Sequence, residues 1–175
     1  MNWDAIGAVG ELFGAIAVLV TLIYLTTQIK HNTLALKSSA AQAVHENFAN
    51  WYSSAQGDPI LLAVSIKGMR DYSSLSEIEK SQFVAMFMAF SSHTQNAYDK
   101  WQEESLTPEL WRGWEYVSMN FFSTPGGNEF WKERSYMFAD AFQSYIQNDL
   151  MNREPHPSSR PFGAENVFES SKTDT

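Results

Sequence analysis

Residues Leu12–Leu25 read LFGAIAVLVTLIYL, and only Gly14 and Thr21 depart from apolar types. The uncharged run continues to Ile29, bounded by Glu11 and Lys30. A helix from Ile6 to Ile29 would measure about 36 Å, against a bilayer hydrocarbon core of roughly 30 Å. No polar face interrupts it, as a helix lying on a soluble surface would require. The segment is therefore expected to be a transmembrane helix, the competing reading being a central helix enclosed by a bundle.

A cleaved signal peptide is not expected. Met1, Asn2, Trp3 and Asp4 carry no Lys or Arg, whereas a secretory leader opens on a positive region. Lys30 and Lys37 follow the apolar run and no basic residue precedes it, which orients the short N-terminal tail outside and the rest in the cytoplasm. Trp3 and Tyr24 stand near the two ends, where interfacial aromatics gather.

One face of this helix is distinctive. Gly7, Gly10, Gly14, Ala17, Thr21 and Gln28 recur at heptad spacing. Small residues on one face let membrane helices approach closely, and Gly10 with Gly14 forms a GxxxG pair. The expectation is self-association or docking on another membrane protein, with membrane lipid on the other faces. The simpler alternative is the ordinary abundance of Gly and Ala in membrane helices. Glu11 is read as a membrane-boundary residue snorkelling to the headgroups, the alternative being an ion site.

Composition narrows the remaining classes. The chain has 175 residues, 12 basic against 20 acidic, and no cysteine. Its net charge of −8 argues against nucleic acid as a partner. Without cysteine there is no disulfide framework, Cys-ligated zinc or thiol nucleophile. Aromatics at 14% indicate a folded core.

Beyond the apolar run, Leu36, Ala40, Val44, Phe48 and Trp51 continue a helical period. Asp58-Pro59 caps a short helix to Met69, which Gly68 is expected to help end. Ser76 to Glu79 forms a capping box opening a long helix to about Glu104. Thr107-Pro108 and Thr124-Pro125 cap two more, to about Phe122 and Arg134, and a last helix is expected over 139–152. No sustained period-two pattern indicates strands. The fold class is all-α: one N-terminal transmembrane helix continuing into a soluble bundle of about five further helical segments. The domain reading is 1–30 for tail and span, 31–152 for a cytoplasmic helical domain, and 153–175 for a flexible tail. Within that tail, Phe162 and Phe168 are weak candidates for partner contacts.

No catalytic, metal or cofactor site is expected. The sequence lacks GxSxG, a Walker-type loop, GxGxxG before a helix and HExxH. His31, His45, His93 and His156 are scattered, and no Glu-x-x-His pair supplies a di-iron set. His93 is read as a core or boundary histidine, with a catalytic base as the alternative. Thr124 to Gly127 is read as an ordinary cap, with an anion site at the helix start as the alternative. Glu103, Glu104, Glu109 and Glu115 are expected to form a solvated acidic face. The aromatic stripes are expected to be core. Their alternative is a cleft for an apolar molecule, made adaptable by Met86, Met88 and Met119.

The residues Trp3-Asp4-Ala5-Ile6-Gly7, Gly10-Glu11, Gly14-Ala15, Tyr24-Leu25, Gln28-Ile29 and Asn32-Thr33 carry a further signal. With Asp58-Pro59, Leu106, Glu109-Leu110-Trp111, Gly126-Gly127 and Trp131, they resemble a family of uncharacterised bacterial single-pass membrane proteins. The resemblance runs to about residue 150. It implies a bacterial inner membrane setting and this architecture, and carries no activity or cofactor. The function expected is a non-enzymatic accessory or scaffold protein assembling through its small-residue face. The alternative is a module binding lipid or another apolar ligand.

Overall fold

The computed structural model describes residues 2–153, and among them every regular element is helical. The chain divides after Ser39 into two compact units. The reading of a C-terminal tail, with Phe162 and Phe168, lies outside the described residues apart from Arg153.

The first helix, α1, runs from Trp3 to Gly57. In the first unit every described side chain is exposed. Its threonine hydroxyls are nevertheless bonded within the helix: Thr21, Thr26, Thr27 and Thr33 each donate from Oγ1 to the carbonyl four residues back, at 2.8–2.9 Å.

The second unit opens with the last part of α1 and continues through α2 (Pro59–Arg70), α3 (Glu77–Gln102), α4 (Pro108–Phe122), α5 (Pro125–Arg134) and α6 (Asp140–Ser144). Each of α2 to α5 begins where a side-chain oxygen takes up a backbone N–H that the helix itself leaves unpaired. Asp58 accepts from Ile60 at 2.8 Å, Thr107 from Leu110 at 3.4 Å and Thr124 from Gly127 at 3.0 Å. At α3 the bonding is reciprocal between Ser76 and Glu79. The start of α6 lacks such a side chain of its own, and Gln95 of α3 accepts the Ala139 N–H instead, at 3.0 Å.

The α3 capping box has a measurable consequence. Lys67 bridges to the Glu79 carboxylate at 2.9 Å, and this bond, with those from Ser76, lowers the Glu79 pKa from 4.5 to about 2. A carboxylate depressed in the folded state stabilises fully above its unfolded pKa, and that stabilisation is lost as pH falls through the folded one. Thermal melts of the chain and of Glu79→Gln are therefore expected to differ at pH 7 and to converge between about pH 4.5 and 2. A gap that stayed constant over that window would count against the capping role.

The core is a continuous aromatic cluster. Phe83, Phe87, Phe90, Phe122, Phe130 and Phe142 are all fully buried. Phe87 lies at the centre, its ring 4.2 Å from Phe83 and 5.3 Å from Phe130 by centroids. α1 joins this cluster through Trp51, whose ring lies 4.9 Å from Phe90 and whose Nε1 donates to the Met86 carbonyl at 3.2 Å. A second group stacks Trp101 on Trp111 at 5.1 Å, with Tyr98 and Tyr145 beside them.

Three local features depart from expectation. Gly68 does not end α2, which runs on to Arg70. It is a packing glycine: a Cβ there would sit 2.4 Å from the Phe83 ring. The last helix is α-helical only to Ser144 and widens into a π-helical turn over Tyr145–Leu150. Phe142, Ile146 and Leu150 recur every four residues and all are fully buried. A spacing of four overshoots the α-helical turn by about 40° each time, and the wider turn absorbs that drift. Finally, α3 is closed by Glu104 at φ +56°, a left-handed turn achieved without glycine. It folds Leu106 back into the core.

Candidate functional site

The predicted packing face is open. Gly7, Gly10 and Gly14 would each accept a Cβ with nothing within 4 Å. Ala17 and Thr21 are exposed on the same helix, and Thr21 is bonded to the Ala17 carbonyl. Gln28 is exposed too, and its Nε2 donates to the Tyr24 hydroxyl at 2.9 Å. Glu11 is exposed and has no ion-pair partner among the described residues. One helix among the described residues is long and apolar enough, by length and composition, to cross a membrane, and none of its apolar stretch is buried.

The weaker candidates resolve differently. His93 is half-buried on α3. The start of α5 is closed to an anion, because Thr124 occupies the Gly127 N–H and Gly126 lies against the Gly68 backbone. Among the described residues no group of three or more His, Cys, Asp or Glu is placed to hold a metal ion.

The acidic face needs a correction at one position. Glu103, Glu104 and Glu109 are exposed, but Glu115 is not. Its side chain is 16% accessible and pairs with Arg153 at 2.7 Å. It also accepts a hydrogen bond from the Tyr145 hydroxyl. Burial pushes the Tyr145 phenol well above its ordinary pKa, and the adjacent Glu115 carboxylate adds to the shift. These three groups tie the π-helical turn to α4.

The apolar cleft lies away from the methionines proposed for it. Met119 is buried in the core, and Met86 is half-buried, its sulfur accepting from Ser65 Oγ at 2.9 Å. A groove of about 340 Å³ lies instead between the Ala41–Phe48 part of α1 and α4. Its apolar walls include Val44, Phe48, Leu110 and Trp114, with Phe48 edge-on to Trp114 at 5.0 Å. Its polar side chains are His45 and Glu109, both exposed. That volume falls at the lower end of small-molecule sites, which run from about 300 to 1,000 Å³.

Gly113 also lines this groove. Mid-helix glycine costs about 0.5–1 kcal/mol relative to alanine. At Gly68, Gly126 and Gly127 packing explains the glycine, since each would drive a Cβ to 2.4 Å or less from another atom. At Gly113 nothing lies within 4 Å. The glycine leaves open space above α4, where alanine would fit and would strengthen the helix. In the sequence Gly113 looks no different from Gly68, and only the fold separates open space at one from close packing at the other.

No protein-family model, curated protein or solved structure matches this chain.

Proposed function

We propose that this is a single-pass membrane protein acting as a non-enzymatic accessory or scaffold subunit. The observation that carries the reading is the apolar helix with its open face of Gly7, Gly10 and Gly14. A soluble protein of this size buries its most apolar helix; here that helix is wholly exposed, and lipid is the solvent that makes such exposure favourable. Lys30 and Lys37 favour a cytoplasmic bundle and an external N-terminus. The resemblance to bacterial single-pass proteins supports an inner-membrane setting.

On this reading the chain assembles with itself, or with another membrane protein, through Gly7, Gly10, Gly14, Ala17, Thr21 and Gln28. Leucines at Gly10 and Gly14 would hold a partner helix away while leaving the bundle untouched. The variant Gly10→Leu/Gly14→Leu is expected to run as a smaller species than the parent in mild detergent, measured by light scattering. An unchanged oligomer mass would refute assembly through this face. The groove between α1 and α4 favours a second role for the same protein, holding an apolar ligand.

A further inference from the structure

We infer that the groove between α1 and α4 seats the acyl chain of an amine-headed membrane phospholipid. The inference deepens the ligand-holding role above and rests on the chain being membrane-anchored. Four observations converge. The walls are aliphatic and aromatic along the groove, while the only charged or titratable lining groups, His45 and Glu109, are exposed. That distribution suits a ligand apolar along its length and polar at one end. Gly113 keeps the space clear although nothing in the bundle requires a glycine there.

Supply is the third observation. From Ile29 to Ala41 the chain reaches at most about 43 Å even when fully extended, so an anchored groove stays within that tether of lipid. Charge is the fourth. Glu109 takes part in no ion pair among the described residues, and the protein as a whole is acidic. Both select against a phosphate-only headgroup and for one that also carries an ammonium.

Trp114 lines the groove and reports on its contents. Trp3, exposed near the apolar segment, is first replaced by Phe so that it does not report on the bilayer. The full-length Trp3→Phe chain is placed in phosphatidylglycerol nanodiscs containing phosphatidylethanolamine brominated on its acyl chains. Emission assigned to Trp114, by difference from Trp3→Phe/Trp114→Phe, is expected to be largely quenched. Gly113→Leu fills the groove without meeting any neighbour at Cβ, and is expected to abolish the quenching with the melting temperature retained; Gly113→Ala is expected to weaken it. Brominated phosphatidylglycerol is expected to quench less at equal content, by up to roughly fivefold, and Glu109→Gln to erase the difference.

Unquenched Trp114 overturns the inference, and so does quenching that persists in Gly113→Leu, which would mean contact with the bilayer surface alone. Equal quenching by the two headgroups overturns the amine selectivity. Alkaline carbonate extraction separates the two levels of the argument. A chain that resists extraction but is not quenched loses only the groove assignment. A chain that is released loses the anchored reading, and its groove is then tested in solution with brominated lysophosphatidylethanolamine, where absence of quenching overturns the inference as well.

Discussion

Gly126→Ala is expected to unfold much of the bundle at temperatures the parent chain tolerates. The added methyl would lie 1.9 Å from the Gly68 carbonyl oxygen and 2.8 Å from its carbon. Both atoms belong to backbone, so no rotamer change relieves the overlap, and α5 must move away from α2. That movement disturbs Phe130 and Trp131, which α5 carries into the core. Overpacking of this kind costs about 3 kcal/mol or more. For a domain of this size the melting temperature should fall by roughly 10 °C. The comparison with Gly113→Ala makes the test specific, since the same substitution on the open side of α4 should stabilise by about 0.5–1 kcal/mol. Equal melting temperatures for the two variants would mean that the α2–α5 approach is looser than described.

Two arginines within the apolar segment, Val18→Arg with Leu22→Arg, are expected to move the chain from the membrane pellet to the supernatant on alkaline extraction. Each arginine near the centre of a span costs about 2.5–3.5 kcal/mol of insertion free energy. Val18 and Leu22 are 59% and 54% accessible and lie outside the bundle's compact unit. The far-ultraviolet spectrum and melting temperature of the released chain should therefore match those of the parent. A variant that pelleted as fully as the parent would remove the membrane from the account of this segment.

Much of the architecture was legible because its signals are local. Asp58-Pro59, Ser76 to Glu79, Thr107-Pro108 and Thr124-Pro125 each place an acceptor within three residues of the N–H groups it serves. Each cap therefore marks a helix start irrespective of the rest of the chain. What escaped the sequence depends on distant partners. Glu115 looked like one more surface carboxylate, and only the fold brings Tyr145 and Arg153 to it. Gly68 looked like a helix end because its real neighbours, Phe83 and Gly126, follow much later in the chain. The groove needs α1 and α4 together, and Glu104 turns left-handed where a glycine would normally mark the turn. The spacing of Gly7, Gly10 and Gly14 was legible because it lies within one helix.

The threonine bonds of α1 bear on how this segment would be positioned. Each hydroxyl is already satisfied by a carbonyl of its own helix, so in hydrocarbon these groups make no demand on lipid or on a neighbouring helix. The middle of the segment then has no polar mark by which to gauge depth, and small vertical excursions there are almost free of penalty. In the proposed anchored state, depth would be set at the two rims, by Trp3 and Glu11 at one and by the Tyr24–Gln28 pair and Lys30 at the other. Under the proposed anchoring, such a helix would act as a float trimmed at its ends, riding with changes in bilayer thickness.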